Sequence, residues 1–176
     1  MELDGKRKNL VLTGFMGTGK TETGLILARS TRRRFMDTDK LVEEMTGINV
    51  ASTFKQSGES YFRDLESKAI KSLNRYTAGS LIVSTGGGAV IRKENREILR
   101  KTGIIINLTA RVEDIIARIS AAGSRPLLEV ENPEERIREL LDERREAYSD
   151  CDIIIDTAGL SPLEVTEKIL NLLKDY

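Results

Sequence analysis

The chain has 176 residues, and its 28 Lys and Arg residues balance its 28 Asp and Glu residues to a formal net charge of zero. That length suits one domain with a buried core, and the balanced charge provides no basic field for nucleic acid or an anionic membrane. Histidine is absent and Cys151 is the single cysteine. Serine–histidine and cysteine–histidine nucleophiles, histidine-ligated metals and internal disulfides are therefore excluded.

The longest apolar runs fall far short of the ~18 residues that a membrane helix needs. Residues 1–8 contain no apolar core of the kind found in a signal peptide. We therefore expect a cytoplasmic protein that binds neither a membrane nor a nucleic acid.

Short apolar runs alternate along the chain with longer segments of helical period. The predicted strands are residues 9–13, 34–36, 80–84, 104–108 and 152–155. The predicted helical segments are residues 20–31, 40–76, 93–101, 112–122, 133–148 and 162–174. This alternation predicts an α/β fold, with a parallel sheet covered on both faces, in a single domain that spans residues 1–176.

Two stretches interrupt the alternation. Residues 40–76 are too long for one simple crossover and predict a small helical insertion. Residues 123–132 contain Gly, Ser, Arg, Pro and two Glu, which is typical of a mobile loop. Inserts around the ligand edge of a sheet often become lids, so we expect that role for the loop.

A glycine-rich loop follows the first predicted strand and opens the first helix. Its sequence, Gly14-Phe-Met-Gly17-Thr18-Gly19-Lys20-Thr21, satisfies Gly-x4-Gly-Lys-Ser/Thr in the strand–loop–helix setting that this motif requires. The glycines let backbone N–H groups turn inward around phosphate oxygens, and the helix N-terminus adds partial positive charge. We predict that Lys20 reaches the β- and γ-phosphates of ATP and that the Thr21 hydroxyl joins the Mg²⁺ shell.

An acidic pair, Asp37-Thr38-Asp39, closes the second predicted strand at the ligand edge of the sheet. Residues two apart on an extended segment point the same way, so we expect both carboxylates to face one cleft. A phosphoryl transferase needs an anion near Mg²⁺ and an acceptor for the proton of the attacking hydroxyl. Asp39 could instead only cap the helix predicted from Lys40, but the nearby phosphate loop favours the functional interpretation.

Three consecutive glycines and a set of arginines are the remaining candidates. Gly86-Gly87-Gly88 follows the third predicted strand, where bare backbone could meet a ligand or simply form a flexible connector. Arg63 and Glu66 share a helix face. They either form an exposed pair worth a few tenths of a kcal/mol, or Glu66 orients Arg63 to grip a substrate carboxylate.

Two further arginines lie towards the C-terminus. Arg125 lies in the predicted lid, from which it could swing onto a transferring phosphate. Arg144 lies late in a helix dense with charge, where a solvated position is the default.

Together these residues resemble the shikimate kinase family over nearly the whole chain. The matching pieces are the phosphate loop, Asp37-Thr38-Asp39, Gly58-Glu59-x-x-Phe62-Arg63-x-x-Glu66, Gly86-Gly87-Gly88, Arg125-Pro126-Leu127-Leu128 and Arg144-x-x-x-Tyr148. The phosphate loop is shared by many functions, whereas the combination is much more specific. The resemblance implies a three-layer α/β/α fold like that of the nucleoside monophosphate kinases, with a five-stranded parallel sheet of order 2-3-1-4-5, a substrate-binding insertion and a lid.

The resemblance also implies a role for each matching residue. Asp39 would hold ring hydroxyls and act as the base, with Lys20 and Arg125 as the other catalytic residues. The substrate would be bound by Asp39, Arg63, Gly86, Gly87, Gly88 and Arg144, and the metal ion by Thr21 and Asp37. ATP would be bound by Gly14, Gly17, Thr18, Gly19, Lys20, Thr21, Arg118, Arg125 and Pro162, of which Arg118 and Pro162 would lie near adenine.

Residues 49–54 depart from the family's usual Ser/Pro-Ile-x-x-Ile-Phe segment, and the predicted lid lacks the longer glycine-rich form. These departures concern packing and lid behaviour more than chemistry. The leading hypothesis is a monomer that uses Mg²⁺ and ATP to phosphorylate the 3-hydroxyl of shikimate. The alternatives are a kinase for another small acid such as gluconate, and a nucleotide-binding regulatory module without catalysis. The presence of both Lys20 and Asp39 counts against the second alternative.

Overall fold

The computed structural model describes residues 8–122 and 131–175. Its strands are β1 (Asn9–Thr13), β2 (Arg34–Asp37), β3 (Leu81–Ser84), β4 (Gly103–Thr109) and β5 (Ile153–Asp156). Its helices are α1 (Lys20–Thr31), α2 (Thr38–Thr46), α3 (Val50–Ser72), α4 (Lys93–Thr102), α5 (Val112–Ala122), α6 (Pro133–Glu143), α7 (Arg145–Ser149) and α8 (Pro162–Leu172). Arg125 and most of the predicted lid lie outside the described residues.

The five strands form one parallel sheet in the order β2-β3-β1-β4-β5, as predicted. Strand β1 is central and fully buried, and Leu10 lies opposite Ile82 on one side and Ile104 on the other. Because all strands are parallel, their carboxyl ends meet at one edge. The loops that carry the candidate functional residues leave the sheet at that edge.

Two apolar clusters cover the two faces of the sheet, which confirms the three-layer prediction. Leu10 and Leu12 of β1 face a cluster that includes Leu27 of α1 and Ile169 of α8. Val11, between them, points the other way into a larger cluster formed with α2 to α6. This alternation follows from the two-residue period of a strand.

The segment predicted as a helical insertion, residues 40–76, forms two helices followed by a 3-10 turn. Helix α2 begins two residues earlier, at Thr38, because the Asp37 side chain accepts hydrogen bonds from the first-turn amides. It ends at Thr46 and is followed by Gly47, whose φ of 75° places that residue in the left-handed region. Within α3, Gly58 has φ 80° and ψ 171°, which breaks the helix immediately before Glu59. Residues Leu73–Arg75 then form a 3-10 turn.

The predicted helix 133–148 is also divided. Asn132 caps α6 and Pro133 occupies its first turn. The helix ends at Glu143, because the next residue, Arg144, has a φ of −103° and a ψ of 4°, which are not helical. Helix α7 continues from Arg145. Within residues 8–122 and 131–175, no helix combines the length and the hydropathy that crossing a bilayer needs.

Candidate active site

The loop between β1 and α1 has the backbone of a phosphate-binding loop. Gly14, Gly17 and Gly19 have φ values of 133°, 79° and 87°. At Gly14 a β-carbon would also overlap the backbone oxygen of Leu108, so no other residue fits there. Lys20 is the first residue of α1, and its Nζ donates to the backbone oxygen of Phe15 at 2.7 Å. The Lys20 side chain is thereby folded back over the phosphate loop.

Thr21 and Asp37 lie together, as the predicted metal site requires. The Thr21 hydroxyl donates to Asp37 Oδ2 at 3.1 Å and lies 3.4 Å from the Ser84 hydroxyl. Oxygen atoms of this kind are the ligands that Mg²⁺ prefers, with substrate phosphates and water completing the shell. The described part of the chain contains no cluster of three or more acidic, histidine or cysteine side chains able to hold a metal by itself.

The prediction that Asp37 and Asp39 share one extended segment was wrong. Asp37 ends β2, and Asp39 lies in the first turn of α2. Asp37 Oδ1 accepts the backbone N–H of Asp39 at 3.0 Å, so Asp37 is the cap of this helix and Asp39 is not. This turn of helix separates the two carboxylates. Asp37 contacts Thr21, whereas Asp39 lies against the loop of residues 86–88, called the glycine loop below.

A cavity of about 80 Å³ lies between α2, α3 and the glycine loop. Its lining includes all six residues predicted to bind the substrate, namely Asp39, Arg63, Gly86, Gly87, Gly88 and Arg144. Met16 of the phosphate loop completes one wall, and its backbone nitrogen would lie 3.2 Å from a β-carbon at Gly87. The cavity therefore borders the phosphate loop directly.

Arg63 is buried in a fixed position, so the interpretation of an exposed Arg63–Glu66 pair was wrong. Its Nη1 donates to Glu66 Oε2 at 2.8 Å, and its Nη2 donates to Glu59 Oε1 at 3.0 Å. Glu66 is completely buried and Arg63 is only 8% exposed. A β-carbon at Gly88 would overlap the Arg63 guanidinium. The absence of a side chain at Gly88 therefore leaves the space in the cavity that the Arg63 guanidinium occupies.

Glu66 has an unusual charge environment. Burial and, to a smaller degree, the Asp39 charge raise the pKa of its carboxyl group to about 7, against the opposing effect of the Arg63 charge. Glu66 Oε1 has no hydrogen-bond partner among the residues that the structure describes. A β-carbon at Gly86 would contact both Asp39 Oδ1 and Glu66 Oε1, so the two carboxylates converge on this glycine.

Arg144 lies at the junction of α6 and α7 and is 5% exposed, so the solvated position that a charged helix implied was wrong. Its Cζ lies 5.8 Å from the centre of the Phe15 ring, which holds it beside the phosphate loop. Its Nη1 has no hydrogen-bond partner within residues 8–122 and 131–175. A buried donor of this kind is suited to an anionic ligand.

Tyr148 positions the glycine loop, a role that the sequence reasoning missed. Its hydroxyl donates to the backbone oxygen of Gly87 at 2.6 Å, and its backbone N–H donates to the Arg144 oxygen at 2.9 Å. Burial raises the pKa of the Tyr148 hydroxyl, so it remains a donor. The spacing Arg144-x-x-x-Tyr148 could have indicated this role, because residues four positions apart are neighbours on one face of a helix.

The two candidates for the adenine region differ in what supports them. Arg118 Nη1 donates to the backbone oxygen of Gly17 at 3.0 Å and lies 3.5 Å from the Thr157 hydroxyl, so it contacts the phosphate loop. Pro162 begins α8, and its backbone oxygen accepts a hydrogen bond from Thr166 of the same helix. An adenine contact stays a prediction for both residues.

A family model described as shikimate kinase matches residues 16–174 of the chain. The chain belongs to the shikimate kinase family. It is 46% identical over 169 residues to the shikimate kinase of Thermodesulfovibrio yellowstonii, covering 96% of this chain and 95% of that protein. It is 48% identical over 163 residues to the shikimate kinase of Caldanaerobacter subterraneus, covering 93% and 94%.

The solved structures agree with the sequence relatives. The structure of a shikimate kinase from Acinetobacter baumannii in complex with shikimate aligns with a TM-score of 0.90 at 36% identity. The alignment covers 96% of this chain and 93% of that one. The family resemblance and the fold inferred from the sequence are both confirmed.

Proposed function

We propose that this chain transfers the γ-phosphoryl group of ATP to the 3-hydroxyl of shikimate, giving shikimate 3-phosphate and ADP. The observation that carries the proposal is one cavity, beside the phosphate loop, in which Asp39 meets two buried arginines. A cyclic hydroxy acid needs a cationic clamp at its carboxylate and an anionic acceptor at its hydroxyl. The cavity contains groups suited to both tasks.

Arg63 and Arg144 form the clamp in this proposal. Glu66 and Glu59 already engage three of the Arg63 N–H groups, which fixes the plane of the guanidinium and leaves two donors for a ligand. Arg144 contributes its buried Nη1. Because both guanidinium groups are held before the substrate arrives, little side-chain entropy is lost when the carboxylate binds.

Asp39 and the phosphate loop serve the transfer step. Asp39 accepts the proton of the 3-hydroxyl as its oxygen bonds to the γ-phosphorus, and the bond from that phosphorus to the bridging oxygen breaks to release ADP. Lys20 stabilises the charge that develops on the transferring group. Arg125, which lies outside the described residues, is proposed to add a second positive charge from the lid.

Mg²⁺ is proposed as the metal, with Thr21 and Asp37 as the residues that would hold it. The hydroxyl and the carboxylate lie 3.1 Å apart at the start of α1, which suits a hard cation bound together with phosphate oxygens. The ion neutralises charge on the β- and γ-phosphates when it is bound. We expect chelation of divalent cations to abolish turnover and added Mg²⁺ to restore it.

The experiment that tests the function is a coupled assay of ADP release with shikimate, with gluconate and with no acceptor. We expect ADP release to depend on shikimate, and phosphorus NMR of the product to show an ester at the 3-oxygen. Release with gluconate alone would favour the other small-molecule kinase. Nucleotide binding without release under any condition would favour the regulatory module.

The oligomeric state and the compartment are part of the same proposal. The proposal treats the enzyme as a monomer, which analytical ultracentrifugation would check. The proposal also places the enzyme in the cytoplasm. Fractionation of the source cells would check that placement.

A further inference from the structure

A second cavity, of about 230 Å³, lies beside the phosphate loop, whose Phe15 and Thr18 line it. It shares no lining residue with the cavity of about 80 Å³ that contains Asp39 and Arg63, the substrate cavity of the proposal above. It is enclosed by the carboxyl end of β4 and by side chains from α5, α6, α7 and β5. Its apolar walls include Phe15, Leu108, Ile115, Leu141, Tyr148 and Ile154. Ile154 is 58% exposed, so this residue marks the side from which solvent reaches the cavity.

The polar groups of this cavity are already engaged within the protein. Arg145, at the rim, is largely exposed to solvent and donates to Asp142 at 2.6 Å, so water and a carboxylate already surround its charge. The Asn107 side-chain oxygen accepts from the Thr13 hydroxyl at 3.2 Å, and the Ser149 hydroxyl donates to the Glu146 backbone oxygen at 2.9 Å. A ligand here would thus meet apolar surface and no unbalanced charge, which selects an uncharged molecule.

The size of the cavity limits the ligand to one or two rings. A protein cavity of about 150 Å³ lined by Leu, Ile and Phe stays dry and binds benzene. Drug-sized ligands occupy roughly 300–1,000 Å³. A cavity of about 230 Å³ falls between these sizes. It therefore suits a fused bicyclic arene or a substituted benzene.

Two wall residues connect this cavity to the active site. The Phe15 backbone oxygen accepts the Lys20 ammonium, and the Phe15 ring lies 5.8 Å from the Arg144 guanidinium. Tyr148 donates its hydroxyl to Gly87 on the substrate side while another part of its side chain lines the second cavity. A molecule that packs against Phe15 and Tyr148 acts on the two residues that hold Lys20, Arg144 and Gly87 in place.

We propose that this cavity is a binding site for a small, uncharged aromatic molecule, separate from the substrate cavity, and that its occupancy changes the affinity for shikimate. The binding part stands independently of the proposed function, because it is measured without turnover. The coupling part rests on the proposed function. By linkage, shikimate must change the affinity for the aromatic molecule by the same factor.

Indole is a suitable probe because it has two fused rings and no charge. Isothermal titration calorimetry is expected to give a dissociation constant of about 0.1–1 mM, the range expected for a ligand of this size. Methyl NMR is expected to show shifts at Ile115 and Leu141. Binding is expected to persist with saturating shikimate and Mg-ADP, with an affinity change of up to about 100-fold. The shikimate KM is expected to change with indole concentration and to reach a plateau.

Ala110→Leu is the variant that fills the cavity, since Ala110 lines it and the larger side chain adds three carbon atoms. We expect it to weaken indole binding at least 10-fold. Ala110→Val, with a smaller addition, serves if the leucine disturbs folding. Ala78→Leu is the matched control, because Ala78 is exposed in the turn that precedes β3, away from the cavity.

Three results would overturn the proposal. The first is the absence of saturable indole binding up to several millimolar. The second is an affinity for indole that is equal in the parent and in both Ala110 variants, or complete displacement of indole by shikimate or Mg-ADP. Either outcome would mean that indole binds somewhere other than this cavity. The third is a shikimate KM that stays unchanged at saturating indole.

Discussion

Replacing Gly88 with alanine tests whether this glycine admits Arg63 to the substrate cavity. The added β-carbon would overlap the guanidinium, which cannot move without disturbing the hydrogen bond of 2.8 Å to buried Glu66. A hydrogen bond to a charged group contributes about 1.5–3 kcal/mol. Loss of the aligned guanidinium should therefore raise the dissociation constant for shikimate by roughly 10- to 150-fold. The KM for ATP should change little, because Gly88 lies at the substrate end of the site.

Calorimetric titration with shikimate measures the effect, and a double-mutant cycle gives its cause. If the alanine acts by displacing Arg63, then Gly88→Ala should add little in an Arg63→Ala background, where no guanidinium remains to be displaced. Circular dichroism and thermal unfolding serve as the controls for folding. Parent-like shikimate binding by Gly88→Ala, or full additivity in the cycle, would refute the reasoning.

Four further predictions concern the charged residues of the site. Lys20→Ala should abolish phosphoryl transfer while circular dichroism stays unchanged, because the lysine lies on the phosphate loop; normal turnover by a folded variant would contradict the assignment. Asp39→Asn should lower kcat by about 100-fold or more through loss of the base, and a change of only a few-fold would leave Asp39 without that role. Arg125→Ala should mainly lower kcat with shikimate affinity nearly unchanged, because a lid contact forms chiefly in the transition state; a large rise in KM instead would place Arg125 in substrate binding. Burial raises the pKa of Glu66 to about 7, above the value of 4.5 expected of an ordinary glutamate. Between those two pH values the folded chain holds a proton that the unfolded chain releases. The free energy of unfolding should therefore fall as the pH rises from about 4.5 to about 7. Urea unfolding measured across this range should show a flatter pH dependence for Glu66→Gln.

The strands and the phosphate loop could be predicted because their signals are local. Residues 9–13 form a strand with the predicted limits, and the glycine spacing of residues 14–21 fixes the backbone of the loop that follows. The break at Arg144 has no such signal, because no glycine or proline interrupts the helical period there. Its cause is tertiary, since Arg144 lies over Phe15 and Tyr148 reaches Gly87.

The pairing of Asp37 with Asp39 failed for a related reason. The two carboxylates would share a face only if the strand continued through both residues, whereas the Asp37 side chain is itself the group that starts the next helix. Two residues that look equivalent in the sequence thereby acquire different neighbours, Thr21 for Asp37 and Gly86 for Asp39. The period of a strand predicts which residues share a face only where the hydrogen-bond ladder continues past both of them.

The same separation divides the site into two halves of different character. Thr21 lies at the start of α1, where the helix dipole and the loop amides favour phosphate, and Asp37, at the end of β2, supplies the negative charge that favours a cation beside that phosphate. Asp39 and Glu66 converge on Gly86, across from Arg63 and Arg144, so two carboxylates and two guanidinium groups line one small cavity. Burying one more anion there is favourable only if both guanidinium groups retain donors that the protein has not used. Arg144 Nη1 has no partner among the described residues. We infer that the unused donors of the two guanidinium groups, in addition to the shape of the cavity, select a ligand that carries a carboxylate.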